Sequence, residues 1–337
     1  MNIAINGFGR IGRASFKIIL ERIAARENIN VVAINDLASS KALAYLLKRD
    51  TVYGTYHKEI SNTDRALIVD GKKYPLFNSK DPLDLPWKDL NVDVVLECTG
   101  AFTKSEAAKA HLTAGAKKVL LSSPAKDDGF KTAVLGEDDL DVSGDLISNA
   151  SCTTNSITPV MHVLARDFGV EKALMTTIHG YTATQALVDS PDEKDPRRGR
   201  AAAQNLVPSS TGAAIATAKA MPQFENIFDG IAVRVPVICG SISDITAVLK
   251  TNVTVDQVNN SFKKAQDEEK FKGVLKYSDE PLVSSDIIGL PYSAIVDGLM
   301  THVVAGNFVK VLAWYDNEWG YSSRLVDMAI LLFKNIN

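Results

Sequence analysis

The sequence predicts two domains: an α/β domain with a parallel sheet, followed by an α+β domain whose sheet is largely antiparallel or mixed. The length of 337 residues is that of about two average domains. Before residue 151, short β-branched segments alternate with helical segments, which indicates βαβ units. After residue 151, the strand-forming segments are longer and fewer helices separate them.

In the first half, strands and helices are expected in alternation. The predicted strands are residues 3–5, 31–34, 92–97 and 118–121, and the predicted helices are residues 11–25, 41–48 and 105–114. The strands are nearly continuous apolar runs, as expected where helices cover both faces of a parallel sheet.

The second half is expected to contain a substantial sheet and three helices. The predicted strands are residues 174–178, 230–238, 245–249 and 308–315, and the helices are residues 157–166, 254–269 and 320–334. Thr254 and Gln257 match a capping box at the start of the second of these helices. We expect domains at residues 1–151 and 152–317, with a C-terminal helix at 318–337 that packs back on the first domain.

Composition and charge exclude several classes of protein. Apolar residues make up 46% and charged residues 23% of the chain, which is typical of a globular protein. The net charge of −3 argues against a strongly basic nucleic-acid surface or a polybasic membrane anchor. No apolar run reaches the ~18 residues of a transmembrane helix, and the first residues lack the pattern of a signal peptide. We therefore expect a soluble cytoplasmic protein with neither a membrane nor a nucleic acid as partner.

Residues 7–12 form a G-x-G-x-x-G motif directly after an apolar strand and at the start of a helix. In a dinucleotide-binding Rossmann domain, Gly7 allows the tight turn, Gly9 the approach of a pyrophosphate, and Gly12 the packing of helix on strand. Asp36 ends the second strand, where a carboxylate accepts hydrogen bonds from a ribose and repels a 2′-phosphate. The motif therefore predicts NAD rather than NADP. The alternative is that the glycines are ordinary turns and Asp36 a solvated loop residue.

The chain has three cysteines, too few and odd in number for a disulfide framework, and no metal site is expected. Cys98 and Cys239 lie in or after apolar strand segments, where small buried residues are typical. Cys152 instead lies in a small polar cluster, residues 149–155, just before a helical segment. Because a helix N-terminus lowers the pKa of a thiol, Cys152 is predicted to be a reactive nucleophile.

A reactive thiol needs a base, and the chain has five histidines. His179 ends a predicted strand and opens a polar loop, which makes it the best candidate for the base; the alternative is a purely structural histidine. His162 lies too far along the helix of Cys152 to touch the thiol. Three others are expected at the surface or in packing: His57, His111 and His302. A thiol, an imidazole and a nicotinamide together indicate covalent oxidation of an aldehyde, with backbone N–H groups at Cys152 helping to hold the oxyanion.

Four segments carry a family resemblance: residues 6–13 (NGFGRIGR), 150–155 (ASCTTN), 209–214 (SSTGAA) and 314–321 (WYDNEWGY). Together they resemble phosphorylating glyceraldehyde-3-phosphate dehydrogenase of type I, over essentially the whole chain. The resemblance implies a Rossmann NAD-binding domain, an α+β catalytic domain, a C-terminal helix that returns to the first domain, and a homotetramer.

The resemblance also implies roles for individual residues, with Cys152 as the nucleophile and His179 as the base. The implied cofactor contacts are Gly7, Gly9, Arg10, Ile11, Gly12, Asp36, Lys80, Thr99, Ser122, Asn317 and Tyr321. The implied contacts with the substrate phosphate are Thr182, Arg198 and Arg234, and those with inorganic phosphate are Ser151, Thr153, Thr211 and Gly212. Hydroxyls, backbone N–H groups and guanidinium groups are suited to phosphate oxygens.

Without the resemblance, several of these residues have structural alternatives. Arg234 would be a salt-bridged strand residue, the arginines within 197–200 a solvated face, and residues 209–211 a helix cap. The loop before these arginines is one residue longer than in some members of the family, so the role of Arg198 could shift to Arg197.

The predicted reaction is NAD-dependent oxidation of glyceraldehyde 3-phosphate to 1,3-bisphosphoglycerate, through a thiohemiacetal and a thioester on Cys152 that inorganic phosphate resolves. The nearest alternative is erythrose-4-phosphate dehydrogenase, in which water hydrolyses the thioester, but Thr182 matches the glyceraldehyde-phosphate type. A semialdehyde dehydrogenase would lack the two phosphate subsites. A protein that uses the dinucleotide groove to bind RNA or a protein partner is a further alternative. Whether the flux is glycolytic or gluconeogenic stays open, because both directions use the same site.

Overall fold

The computed structural model describes residues 1–137 and 140–336. They form two compact units. The first comprises Met1–Ala133, Asp141–Ala150 and Ser322–Asn337, and the second comprises Val134–Leu140 and Ser151–Tyr321. The chain therefore enters the second unit briefly at Val134–Leu140, passes to it again at Ser151, directly before Cys152, and returns to the first unit within its last helix.

The first unit alternates strands with helices. Its strands are β1 (Asn2–Asn6), β2 (Asn30–Asn35), β3 (Arg49–Asp50), β4 (Gly54–Thr55), β5 (Ile60–Thr63), β6 (Ala66–Val69), β7 (Lys72–Phe77), β8 (Val94–Glu97), β9 (Lys118–Leu121), β10 (Lys131–Thr132) and β11 (Leu146–Ser148). Its helices are α1 (Arg10–Ala24), α2 (Ser40–Lys48) and α3 (Ser105–Thr113).

In the described residues, the main sheet of this unit has the strand order β10-β11-β9-β8-β1-β2-β7-β6-β5. The strands from β10 to β7 run parallel, whereas β5 and β6 add to the edge as antiparallel strands. Asn6 at the end of β1 lies beside Asn35 of β2 and Glu97 of β8. The loops that follow these three strands therefore leave the sheet at one edge, where ligands bind in sheets of this kind.

The second unit has longer strands. Its elements are α4 (Cys152–Phe168), β12 (Val170–Gly180), β13 (Val207–Ser210), α5 (Ala213–Ala220), β14 (Phe228–Val235), β15 (Ser241–Leu249), α6 (Val255–Ala265), β16 (Leu275–Ser278), β17 (Ala294–Asp297), β18 (His302–Val304), β19 (Phe308–Tyr315) and the first residues of α7 (Trp319–Lys334).

The sheet of the second unit is mixed. Its order in the described residues is β13-β14-β12-β15-β19-β17-β16, with parallel pairing of β12 with β14 and of β16 with β17, and antiparallel pairing elsewhere. One face packs on the helices: Met175 and Ile245 join Val160 of α4 and Phe262 of α6 in a single core. The other face is open, and Leu174 on it is 65% exposed. Side chains alternate between the two faces because a strand has a period of two residues.

The predicted fold class is confirmed, but several element boundaries were wrong. Helix α6 ends at Ala265 rather than at residue 269, because the chain changes to a short 3-10 turn at Glu269–Phe271. Strand β14 ends at Val235 rather than at residue 238, and β12 is longer at both ends than predicted. The capping box of Thr254 and Gln257 is confirmed. The short strands β3, β4 and β5 lack a clear apolar pattern and were not predicted; β6 was also not predicted, although its four residues are apolar.

The C-terminal helix α7 contributes the residues after Tyr321 to the first unit. There Arg22 of α1 donates a hydrogen bond to Asp327 of α7 at 2.5 Å. Among the described residues, none of the helices is long and apolar enough to cross a membrane.

Candidate active site

The thiol of Cys152 lies beside an imidazole at the start of α4. Ala150 has a φ of 52°, a conformation that is strained for alanine, and it turns the chain into the helix. Ser151 is the N-cap, and its Oγ accepts a hydrogen bond from Thr154 N at 3.0 Å. Cys152 Sγ then lies 3.3 Å from Nε2 of His179, near the end of β12. The predicted nucleophile and base therefore form a hydrogen-bonded pair within the second unit.

Arg234 lies directly opposite His179 in the register of β12 and β14. Its Nη1 is 2.6 Å from His179 Nδ1, and the carbonyl oxygen of Gly180 is also 2.6 Å from that nitrogen. If Arg234 donates to Nδ1, the imidazole proton is on Nε2; if Nδ1 donates to Gly180, the lone pair of Nε2 faces Cys152. The described residues contain no carboxylate partner for Arg234, so the salt bridge considered for it is not present there.

The electrostatics of the pair differ from the prediction for the thiol. Burial and the charge of Arg234 lower the pKa of His179 to about 3, so its imidazole is neutral at neutral pH and able to accept a proton. Burial raises the pKa of the Cys152 thiol. Arg234 and hydrogen bonds at the helix start lower it, but they do not outweigh burial. The prediction of a lowered thiol pKa at the helix N-terminus is therefore wrong, because the pKa of Cys152 is raised overall.

The buried hydroxyl of Tyr315 forms a hydrogen bond with Thr153, the second residue of α4. Tyr315 Oη is 3.0 Å from Thr153 Oγ1 and 2.7 Å from Thr177 Oγ1. The ring of Tyr315 also meets His179 edge to face, with centroids 6.0 Å apart. Tyr315 and Thr177 were not predicted as site residues, because no local pattern connects residues so far apart in the chain.

Besides Arg234 of β14, the candidate ligands of the substrate phosphate lie on the segment between β12 and β13. Thr182 Oγ1 is 2.9 Å from Thr184 Oγ1 and is accessible to solvent. Arg198 is half-buried and donates to Ser209 Oγ at 3.0 Å. Arg197 is exposed, and in the described part of the chain its side chain makes no hydrogen bond or ion pair. Arg198 also pairs with Asp195 at 3.2 Å, so of the two arginines it is the one held in place by side-chain contacts.

The candidate ligands of inorganic phosphate at 211–212 start helix α5. Thr211 Oγ1 accepts a hydrogen bond from Ala213 N at 3.1 Å, and Gly212 is the N-cap. The helix-cap interpretation of residues 209–211 is wrong, since Ser209 and Ser210 belong to β13 and the N-cap is Gly212, although Thr211 accepts a hydrogen bond from the first residue of α5. Because Arg198 contacts Ser209, it lies close to this segment.

In the first unit, the glycine motif forms a tight loop between β1 and α1. Gly7 has a φ of 89°, and a Cβ there would lie 2.7 Å from the backbone nitrogen of Thr99. A Cβ at Gly12 would lie 2.1 Å from the carbonyl oxygen of Gly7. A Cβ at Gly9 would meet nothing within 4 Å. Two glycines are thus required by close packing, and the side of Gly9 is open to a ligand.

Comparison with known proteins decides the family. A model of the NAD-binding domain of glyceraldehyde 3-phosphate dehydrogenase matches residues 1–105, and a model of the C-terminal domain of that enzyme matches residues 151–317. The chain belongs to the glyceraldehyde-3-phosphate dehydrogenase family. The resemblance found in the sequence is therefore confirmed, and the chain is an NAD-dependent oxidoreductase.

Curated relatives extend over the whole chain. Glyceraldehyde-3-phosphate dehydrogenase of Thermotoga maritima is 50% identical over 334 residues, which cover 98% of this chain and 99% of that protein. Glyceraldehyde-3-phosphate dehydrogenase 2 of Streptomyces avermitilis is 49% identical, with 98% of each chain covered. The enzyme of Borreliella burgdorferi is 48% identical, and 99% of this chain and 100% of that protein are covered.

The glycine loop fits the NAD cofactor of this family. The open side of Gly9 leaves room for a pyrophosphate at the N-terminus of α1, where Arg10 and Ile11 are the first residues and, in the described chain, no side chain caps the helix. Asp36 lies beside this loop, since Oδ2 accepts from Phe8 N at 2.7 Å and Oδ1 from Ala38 N at 2.9 Å. The guanidinium of Arg10 itself pairs with Asp50 at 2.8 Å.

The other candidate cofactor residues of the first unit lie after neighbouring strands. Thr99 N and Oγ1 donate to Oε1 of the buried Glu97 at the end of β8. Ser122 follows β9, and its N donates to the backbone oxygen of Glu97 at 3.0 Å. Lys80 is exposed and follows Ser79, whose N donates to Asn35 Oδ1 at 2.9 Å. The carboxyl ends of the strands thus bring these segments to one edge of the sheet.

The remaining candidates, Asn317 and Tyr321, lie in the second unit and are buried. The amide oxygen of Asn317 accepts hydrogen bonds from Gly240 N at 3.1 Å and from Ser241 Oγ at 3.0 Å. Tyr321 lies in the first turns of α7. No signal in the sequence marked Ser241, whose partners are distant along the chain.

The other cysteines and histidines have structural surroundings. Burial raises the pKa of Cys98 to about 12, and Cys239 is buried and donates to Asp316 Oδ1 at 3.2 Å. His111 is fully buried between Trp87 and Glu97, and His162 contacts Lys270 at 2.8 Å. His57 and His302 are exposed.

Proposed function

We propose that the chain catalyses the oxidation of glyceraldehyde 3-phosphate to 1,3-bisphosphoglycerate, with NAD and inorganic phosphate as co-substrates. The observation that carries the proposal is the 3.3 Å contact between Cys152 Sγ and His179 Nε2, with Arg234 against the far side of the imidazole. A nucleophile, a neutral base and a cation that suits phosphate meet within the second unit. The family to which the chain belongs supports the same activity.

In the proposed mechanism, His179 Nε2 takes the proton of the Cys152 thiol, the resulting thiolate adds to the aldehyde carbon, and the same proton passes to the carbonyl oxygen to give a thiohemiacetal. His179 Nε2 removes the hydroxyl proton as a hydride leaves the same carbon, which yields a thioester on Cys152. NAD, when bound, supplies the hydride acceptor. An oxygen of inorganic phosphate then attacks the thioester carbon, the C–S bond breaks, and Cys152 leaves as a thiolate.

Each phosphate has its own proposed set of ligands. Thr182, Arg198 and Arg234 hold the phosphate of the substrate through hydroxyl and guanidinium donors. Inorganic phosphate is held by hydroxyls and backbone N–H groups at the starts of two helices, at Ser151, Thr153, Thr211 and Gly212. The location of Ser151 and Thr153 on either side of Cys152 supports this role, because inorganic phosphate must reach the thioester carbon.

The domain functions follow from these sites. We propose that residues 1–151 and the C-terminal helix at 318–337 form the cofactor domain and that residues 152–317 form the catalytic domain. We further propose that the chain assembles as a homotetramer in the cytoplasm. Support for assembly comes from the open face of the second sheet, where Leu174 and Ile231 are exposed on the neighbouring strands β12 and β14, and Phe308 is exposed on β19 of the same sheet. Exposed apolar patches of this kind mark interaction surfaces.

The experiment that tests the activity is NADH formation from glyceraldehyde 3-phosphate and NAD, with and without inorganic phosphate. We expect turnover that depends on phosphate, is lost in Cys152→Ser, and is retained in the matched control Cys98→Ser. Turnover that does not depend on phosphate would mean that water resolves the thioester. That result would contradict the phosphate ligands proposed here and favour an erythrose-4-phosphate dehydrogenase.

A further inference from the structure

A buried serine connects the strand of the proposed base to the amide proposed to contact the cofactor. Ser241, the first residue of β15, is 1% exposed. Its Oγ accepts a hydrogen bond from the backbone nitrogen of Gly180 at 3.2 Å, and Gly180 follows His179 directly. The same Oγ lies 3.0 Å from Asn317 Oδ1. Because an amide oxygen only accepts, Ser241 uses its single hydroxyl proton to donate to Asn317.

The contacts of Asn317 fix which end of its amide faces outward from this cluster. Oδ1 accepts from Ser241 Oγ and from Gly240 N, at 3.0 and 3.1 Å. The opposite orientation would place the Nδ2 donors against these two donors, so it is disfavoured. The Nδ2 group therefore points away from residues 240 and 241. In the described part of the chain it makes no hydrogen bond, although Asn317 is only 6% exposed.

We propose that Ser241 is a positioning residue that keeps Asn317 oriented as a hydrogen-bond donor toward the cofactor. In this way Ser241 sets the specificity of the site for a nicotinamide-ring substituent that carries an acceptor oxygen. The inference rests on the proposed function, in which Asn317 contacts the nicotinamide carboxamide. An amide held in this orientation offers N–H groups only. The carbonyl oxygen of a carboxamide satisfies them, whereas a thiocarbonyl sulfur accepts hydrogen bonds weakly.

The same serine also constrains the proposed base. The backbone nitrogen of Gly180, at the end of β12, donates a hydrogen bond to Ser241 Oγ. The carbonyl oxygen of Gly180 lies 2.6 Å from His179 Nδ1. Ser241 Oγ therefore contacts both Asn317 and Gly180, the residue whose carbonyl oxygen lies beside the imidazole. This coupling holds the cofactor contact in a constant relation to His179.

The test compares Ser241→Ala with Ser243→Ala as a matched control. Ser243 lies two residues further along β15, points to the same side of the strand and is fully buried, but its Oγ contacts Ser156 Oγ at 3.3 Å. The cofactors are NAD, its 3-acetylpyridine analogue, which keeps the carbonyl oxygen, and its thionicotinamide analogue, which replaces that oxygen with sulfur. Dissociation constants and KM values are measured for each cofactor.

We expect the wild-type protein to bind NAD and the acetylpyridine analogue more tightly than the thio analogue. In Ser241→Ala, binding of both oxygen-containing cofactors weakens roughly 3- to 10-fold, as for the loss of one hydrogen bond. Binding of the thio analogue changes less, so discrimination between oxygen and sulfur falls. Ser243→Ala keeps the wild-type discrimination. The proposal is overturned if Ser241→Ala weakens the binding of all three cofactors equally. It is also overturned if Ser241→Ala and Ser243→Ala have the same dissociation constants for the three cofactors.

A double-mutant cycle shows whether Ser241 acts through Asn317. In an Asn317→Ala background, Ser241→Ala should have little further effect on the dissociation constant of NAD. Full additivity of the two substitutions would mean that Ser241 acts by another route and would overturn the inference. These outcomes can be told apart from failure of the proposed function. If the proposed function is wrong, the wild-type protein itself shows no phosphate-dependent turnover.

Discussion

Arg234 contacts His179 directly and influences both members of the catalytic pair. Its charge lowers the pKa of His179 together with burial, and it lowers the pKa of Cys152 against burial. The guanidinium therefore keeps the imidazole neutral and also favours the thiolate. Neither effect follows from the sequence near Cys152, because Arg234 enters the site from a different strand.

Replacement of Arg234 is predicted to shift the reactivity of the thiol. The thiolate is the form that iodoacetamide alkylates, so the rate rises with pH through the pKa of Cys152. Arg234→Gln removes a charge that lowers this pKa, and the profile should move to higher pH, with slower alkylation at neutral pH. The control is Arg200→Gln, since Arg200 is exposed and pairs with Asp189. An unchanged profile in Arg234→Gln would contradict this account of the charge.

Asp36 is predicted to select between the two nicotinamide dinucleotides. Its carboxylate accepts from Phe8 N beside the glycine loop, and it would repel the 2′-phosphate of NADP. Asp36→Asn keeps an oxygen acceptor but removes the charge. The ratio of kcat/KM for NADP to that for NAD should rise by about tenfold, which corresponds to about 1.4 kcal/mol. Steady-state kinetics with both cofactors measure it, and a constant ratio would show that Asp36 does not set this preference.

At the scale of elements, two N-caps allow stability and activity to be separated. Ser151 Oγ caps α4 and accepts from Thr154 N at 3.0 Å, and Thr254 caps α6 within a capping box. Both caps satisfy N–H groups that a helix leaves without partners. Only Ser151 lies next to Cys152 and in the proposed phosphate site.

Ser151→Ala and Thr254→Ala are each predicted to lower the free energy of unfolding by about 1 kcal/mol. Urea denaturation measures this loss. Thr254→Ala should retain the KM for inorganic phosphate, whereas Ser151→Ala should raise it. If both variants kept the wild-type KM, Ser151 would be a helix cap only.

The local sequence predicted elements well where a motif dictates backbone conformation. The glycine motif predicted the turn between β1 and α1, since Gly7 adopts a positive φ and Gly12 packs against the backbone of Gly7. The capping box predicted the start of α6, but its end was missed because the chain turns into a 3-10 segment there. Helix ends depend on tertiary packing more than on local pattern.

At the scale of the whole molecule, the second sheet leaves one face without a covering layer of helices. Leu174 and Phe308 on this face are 65% and 45% exposed, while Met175 and Val309 point into the core. Such a face suits contact with further copies of the chain.

Leu174→Glu is predicted to weaken the proposed tetramer. A carboxylate on this face would have to be desolvated in the interface, so sedimentation should show smaller species at equal protein concentration. Leu83→Glu is the control, since Leu83 is 53% exposed and belongs to the first unit rather than to this sheet. Wild-type sedimentation as a monomer, or an unchanged tetramer in Leu174→Glu, would contradict the assignment of this face.

The sequence by itself determined the fold class, the glycine loop, and the identity of Cys152 and His179 as candidates. These features depend on local rules, namely strand and helix patterns, backbone freedom at glycine, and the chemistry of a lone polar cysteine. Only the tertiary structure decided that Cys152 and His179 form a pair, that Arg234 rather than a carboxylate contacts the imidazole, and that Ser241 donates a hydrogen bond to Asn317. It also reversed the expected direction of the thiol pKa. The physical reason is that burial and through-space charge depend on residues that the chain brings together only after folding.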